Sequence, residues 1–97
     1  MPTIRVVAHI KAKPEHAEQL KGLLSAQVAP TKAEDGCISY ALMQNNNDPA
    51  DFVFVEEWRD MAALKAHIKS PHLQQGREAR AALLAGEPDI RLYTQIA

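Results

Sequence analysis

Ninety-seven residues suffice for one domain, and no linker or low-complexity segment divides them, so residues 1–97 read as a single unit. Eleven Lys and Arg against twelve Asp and Glu leave a formal charge of -1, which excludes the basic face that a nucleic acid or an anionic membrane would need. A hydrophobic content of 46% excludes a disordered chain, and no apolar run approaches the ~18 residues of a membrane span.

The N-terminal MPTIRVVAHI alternates and is rich in β-branched residues, so Thr3 to Lys11 reads as a strand. Ile4, Val6, Ala8 and Ile10 fall on one side, with Arg5, Val7 and His9 on the other. The same segment lacks the basic region, long apolar core and cleavage site of a signal peptide. With a lone cysteine, Cys37, that has no internal partner, the expected setting is a reducing cytoplasm.

Lys13-Pro14-Glu15 opens a helix, with proline suited to its first turn and Glu15 and Glu18 near its positive end. Leu20, Leu23, Leu24 and Val28 form its apolar stripe, and Pro30 and Gly36 mark its exit. Cys37 to Asn45 alternates Ile38, Tyr40 and Leu42 with Ser39, Ala41 and Met43. The turn formers of NNNDPAD then predict a loose loop before a strand over Phe52 to Arg59. Phe52, Phe54 and Trp58 share one face of that strand, and Val53 and Val55 the other.

Asp60 is placed to cap a short helix carrying Met61, Leu64 and Ile68. Ser70-Pro71 restarts it as a cap and a first-turn proline. The next segment runs through Leu73, Ala79, Leu83 and Leu84 to Gly86 and Pro88, and Ile90 to Ile96 reads as a last strand. The order is βαββαβ: an α+β, ferredoxin-like domain with a four-stranded antiparallel sheet and its helices on one face.

Helices on one face should leave the other face of such a sheet polar. The first three strands instead carry apolar side chains on both faces, and exposing each would forfeit about 1.5–3 kcal/mol. Two sheets packed face to face recover that loss, so a homodimer through the sheet face is expected.

No P-loop, GxGxxG, HExxH, CxxC or nucleophile elbow is present. The polar groups worth weighing are His9, Tyr40, Asn45, Glu56, Glu57, Trp58, His67, His72 and Arg80. His67 lies on the flank of its helix's apolar arc, where it can border a cavity between helix and sheet. Arg80 falls between Leu83 and Leu84 on a helical wheel, so its guanidinium must snorkel, pair with a carboxylate or meet an anionic ligand. Each has a plain structural alternative. A boundary histidine is satisfied by one hydrogen bond, Trp58 is core by size, and Glu56 and Glu57 read as one exposed or dimer-edge carboxylate and one salt-bridged carboxylate. His67 and His72 straddle the Ser70-Pro71 break with no third ligand signalled nearby, so no metal is expected.

The strings VVAHIKAKPEHAEQLKGLL, APTKAEDGCISYALMQN, DPADFVFVEEWRDMAALKAHIKSPHL and IRLY span nearly the whole chain. Their EDGCISY turn-strand, FVFVEEW strand and AHIKSPH helix break resemble the antibiotic biosynthesis monooxygenase family, in its branch of small quinol monooxygenases. The resemblance implies a dimeric α+β barrel with a pocket between helices and sheet in each subunit. It also implies oxidation of a small aromatic substrate, a hydroquinone or polycyclic phenol, by dioxygen with no cofactor, whether metal, flavin or haem. On that template His67 takes the phenolic proton and Arg80 holds the developing anion, as the two catalytic residues. Tyr40 and Trp58 wall the pocket and stack on the ring, with His72 and His9 as further substrate-binding candidates. Haem-degrading relatives use an Asn, a Trp and a His where this chain has Ala8, His67 and Arg77, which disfavours haem chemistry. Two other functions suit the same fold: isomerisation of a small sugar-derived or dicarbonyl metabolite, and ligand binding by a non-catalytic dimer.

Overall fold

In the computed structural model, which describes residues 2–97, four strands pair antiparallel in the order β2-β3-β1-β4. They are β1 (Ile4–Lys11), β2 (Cys37–Asn45), β3 (Asp48–Trp58) and β4 (Asp89–Tyr93). Between β1 and β2 run α1 (Ala17–Ala26) and the short α2 (Val28–Lys32); between β3 and β4 run α3 (Met61–Ile68) and α4 (Pro71–Arg80). This is the ferredoxin-like α+β arrangement that the alternating strands imply. No helix among the described residues is long and apolar enough to cross a membrane.

The core lies between the helices and one face of the sheet. Val6, Ala8 and Ile10 of β1 and Phe52, Phe54 and Trp58 of β3 are buried there against Leu20 and Leu24 of α1 and Leu64 of α3. Complete burial of Trp58, Phe52, Leu20 and Leu24 contributes about 1.5–3 kcal/mol apiece. Across the sheet, the outer face carries Ala41, Val55 and Val7 in one cross-strand row and Met43 and Val53 in the next. Val7, Val53 and Val55 are only half-buried, and Met43 is exposed.

Several boundaries differ from the sequence expectation, each for a local reason. Pro14 opens a single 3-10 turn (Pro14–His16) before α1 rather than α1 itself. Pro30 does not lie beyond the helical region but inside α2. Lacking an N–H for the carbonyl of Ala26, it breaks the helix there and lets a second short one start. The NNNDPAD loop is not loose. Asn46 and Asn47 alone make the turn, and β3 starts at Asp48. Side-chain acceptors stand in for the ladder, with Asn47 N–H donating to Asn45 Oδ1 at 2.8 Å and Ala50 N–H to Asp48 Oδ1 at 3.0 Å. Asp60 caps α3 as expected, its Oδ1 accepting from Ala63 N–H at 2.9 Å. Ser70, by contrast, does not cap α4 with its side chain, because its hydroxyl turns back to donate to the carbonyl of His67 at 2.7 Å. Ala79 is exposed, and Met61 and Ile68 are partly exposed instead of core. The last strand stops at Tyr93, which pairs with Arg5, because β1 itself begins one residue earlier at Ile4.

Gly36 joins α2 to β2 with φ 84°, a conformation that costs an L-residue about 1–2 kcal/mol. A Cβ there would also lie 2.5 Å from Cβ of Ala63 in α3. Gly36→Ala should therefore destabilise the fold by roughly 2 kcal/mol or more. A urea midpoint equal to that of the wild type would show that the turn carries no such constraint.

Candidate active site

Opposite residues of paired strands point to the same side, so the register assembles the site floor. Tyr40, Glu56, Val6 and Leu92 form one cross-strand row and Leu42, Phe54, Ala8 and Ile90 the next. Above them opens a cavity of about 840 Å³, bordered by α3, α4 and the loop through Gly86 to β4. Its walls are mainly apolar. Its polar groups include Tyr40, Glu56, His67, Arg77 and Arg80.

His67 is held on three sides. Its Nδ1 lies 2.7 Å from Oε2 of Glu34, its ring packs on Trp58 at a centroid distance of 4.6 Å, and Tyr40 meets it edge-on at 5.7 Å. Burial lowers its pKa below the ordinary 6.5, with Glu34 pulling the other way. The imidazole is therefore neutral at neutral pH, with Nδ1 engaged and Nε2 left to accept a proton. Ser70 fixes the helix end behind it, and Gly36 turns the chain so that Glu34 reaches under α3.

Glu56 is 5% exposed and accepts a 2.8 Å hydrogen bond from the indole N–H of Trp58 at Oε1. Burial pushes its carboxyl from an ordinary 4.5 up to about 7; the Trp58 bond opposes the shift and the charge of Glu34 adds to it. Burial and the neighbouring Glu56 also raise the Tyr40 phenol well above its usual range, so it remains a hydrogen-bond donor. Tyr40 is stacked on Phe54 with centroids 4.8 Å apart. Arg80 is 6% exposed, and its Nη1 has no partner among the described residues. A buried guanidinium with an unused donor beside an apolar cavity has the chemistry to pair with an anion.

Of the residues expected at the site, Tyr40, His67 and Arg80 come together at the cavity, and three do not. His9 projects from the outer face of β1, over a shallow hollow with Lys11 and Asp51. The parity of the strand sends it away from Val6 and Ala8. Trp58 is fully buried and does not border the cavity; it supports His67 and Glu56 from behind rather than forming a wall for substrate. His72 lies off the cavity, with Nε2 2.9 Å from the same Oε2 of Glu34 and near the hydroxyls of Thr31 (3.3 Å) and Ser70 (3.4 Å).

Two carboxylates at the site are not legible in the sequence pattern. Glu56 is expected there only as an exposed, dimer-edge or salt-bridged carboxylate. That description fits Glu57, which pairs with Arg5 at 3.2 Å. The missed signal was parity, since Glu56 shares its face of β3 with Phe52, Phe54 and Trp58. Glu34 had no local signal, being brought to His67 from 33 residues away. It also removes the premise that no third ligand stands near the two histidines, for donor atoms of Glu34, His67 and His72 all lie within 4.8 Å of one another. Their geometry is that of hydrogen bonds. Contacts of 2.7 and 2.9 Å onto one oxygen are shorter than the ~3.3 Å between ligands of a tetrahedral zinc ion.

Residues 3–79 match the family model described as antibiotic biosynthesis monooxygenase. The chain is 34% identical to the uncharacterized protein sll1783 of Synechocystis sp. over 93% of its own length, and that match spans 61% of the relative. It is 31% identical to the "probable quinol monooxygenase YgiN" of Escherichia coli, over 78% of this chain and 83% of that one. Among solved structures it resembles PA3566 of Pseudomonas aeruginosa with a TM-score of 0.94 and 37% identity, covering 100% of this chain and 97% of that one.

The Glu56 shift has a thermodynamic consequence. With a folded pKa above 4.5, the native state binds the proton more tightly than the unfolded one. The favourable contribution is complete below about pH 4.5 and is lost as pH rises through 7. The resulting deficit at pH 8 is on the order of 3 kcal/mol. Glu56→Gln keeps an acceptor for the indole and removes the charge, so it should stabilise the protein at pH 8 and change little at pH 4.5. Equal effects in urea titrations at the two pH values would contradict this burial account.

Proposed function

The chain belongs to the antibiotic biosynthesis monooxygenase family, and from that premise we propose that it is a cofactor-independent monooxygenase acting with dioxygen on a hydroquinone or polycyclic phenol. The observation that carries this reading is one apolar cavity holding both a neutral imidazole fixed by Glu34 and an unpartnered buried guanidinium.

Triplet dioxygen reacts slowly with closed-shell molecules, and an electron-rich phenolate overcomes this by supplying an electron itself. What the protein must provide is the anion, a dry enclosure and fixed geometry. His67 Nε2 takes the phenolic proton while Glu34 stabilises the imidazolium through Nδ1. Arg80 and the Tyr40 hydroxyl then hold the negative oxygen in a site where burial strengthens every such interaction. Phe54, Leu64 and Ile90 offer the apolar contact that an aromatic ring requires.

The working unit in this reading is a homodimer. Its interface is the outer sheet face, where Val7, Val53, Val55, Ala41 and Met43 form a patch flanked by the Arg5–Glu57 ion pair. The setting is the reducing cytoplasm, consistent with a free Cys37.

His67→Ala should lower oxygen uptake with a quinol or naphthol substrate by roughly 10²–10⁴-fold. The loss should shrink at high pH, where the substrate ionises unaided. An oxygen electrode with a panel of quinols tests this, and an unchanged rate per folded molecule would remove His67 from the mechanism. Light scattering should give about 21 kDa, twice the 10.7 kDa of one chain. A stable monomer at micromolar concentration would contradict the assigned interface.

A further inference from the structure

We propose that Glu56 is a second catalytic acid–base residue of this cavity, the group that takes the carbon-bound proton whose loss turns the oxygenated phenol into a quinone. This rests on the monooxygenase reading above, concerns phenols whose para carbon bears hydrogen, and assigns a step that reading leaves without a residue.

The proton inventory requires such a group. His67 takes the phenolic proton, and the ring carbon para to the oxygen then bonds one atom of dioxygen, with two electrons passing from ring to oxygen. The product is a peroxide on a tetrahedral carbon that still bears its hydrogen, and the protonated Glu56 carboxyl gives its proton to the distal oxygen, becoming a carboxylate. Completion needs a base at that carbon. As the C–H bond breaks, its electron pair becomes the second C–O bond, the O–O bond breaks, and hydroxide leaves with the other pair. Glu56 regains a proton from the carbon, and hydroxide takes the proton held by His67 and leaves as water. Phenol and dioxygen have become quinone and water, and both residues are back in their starting states.

The phenolic oxygen and the para carbon stand at opposite ends of the ring. An imidazole fixed by Glu34 and packed on Trp58 has no freedom to serve both ends. Glu56 is the buried candidate base on the cavity floor, in the cross-strand row between Tyr40 and Val6, whereas Glu87 borders the cavity as an exposed residue of the loop before β4. Trp58 fixes Oε1, so Oε2 is left for a ligand. No cation pairs with Glu56 among the described residues, and the indole needs only an acceptor, which Gln would supply without burying an acid. Packing therefore gives no reason for a carboxyl here, whereas proton exchange does. Glu34 and Cys37 from the α2–β2 turn and the start of β2 and Tyr40 from β2 lie within charge range of it, and His67 from α3, Arg77 and Arg80 from α4 and Glu87 from the loop before β4 line the same cavity. In that company its titration near pH 7 suits a group that must both gain and give a proton.

The test uses 1-naphthol and 4-deuterio-1-naphthol with the wild type, Glu56→Gln and Glu56→Asp. In Glu56→Gln, anaerobic 1-naphthol binding should persist, while formation of 1,4-naphthoquinone falls about 10²–10⁴-fold and lags behind oxygen uptake. Deuterium at C4 should slow that variant further, its kcat should lose the pH limb near 7, and Glu56→Asp should recover part of the rate. Wild-type quinone rate and yield in Glu56→Gln would overturn this assignment alone. So would a loss confined to binding. A wild type that oxidises hydroquinones but no phenol with a free para position would overturn this step alone, and one that oxidises no phenol or quinol in a panel would overturn the proposed function with it.

Discussion

The period of two along β3 is the constraint on which the rest of the molecule depends. This central strand sends Phe52, Phe54, Glu56 and Trp58 toward the helices and Val53, Val55 and Glu57 toward the opposite face. One set supplies the core, the base of the cavity and the indole that supports both His67 and Glu56. The other supplies the valines that the proposed dimer would cover. A one-residue slip in register would expose the aromatic rings and bury Glu57 in place of Glu56, so fold, site and assembly are specified together.

Within the cavity a single cause, removal from water, sets each ionisable group differently. It keeps His67 neutral, holds the Tyr40 phenol protonated and brings Glu56 to the edge of ionisation near pH 7. Arg80 keeps a permanent, buried charge there, with a donor unused. Pairs of groups whose environments push their pKa values apart mark acid and base roles. A cavity with a buried positive charge and two proton acceptors favours a substrate that becomes an anion on binding and must lose a second proton later.

The elements that the sequence made legible were those whose physics is local. Alternation in β1 and β3 placed Val6, Ala8, Phe54 and Trp58 inward, and a helical wheel placed His67 and Arg80 on the inner faces of α3 and α4. Asp60 announced its cap. The cavity was less legible because its composition is set by pairing across the sheet and by long-range contact. Glu34 reaches His67 only after the Gly36 turn folds beneath Ala63, and nothing near Glu34 in the chain signals that approach. Glu56 was readable from the parity that identified its neighbours, but as half of a Glu-Glu pair it is expected only as an exposed, dimer-edge or salt-bridged group. Trp58 was read correctly as large and apolar, yet size alone cannot separate a wall from its support.

The most direct test of the central claim is the fate of labelled oxygen. With ¹⁸O₂ and 1-naphthol in ordinary water, the account predicts 1,4-naphthoquinone carrying one ¹⁸O atom, with the other recovered in water. Quinone without label, or dioxygen reduced only to hydrogen peroxide, would contradict a monooxygenase and leave His67, Glu56 and Arg80 serving some other chemistry.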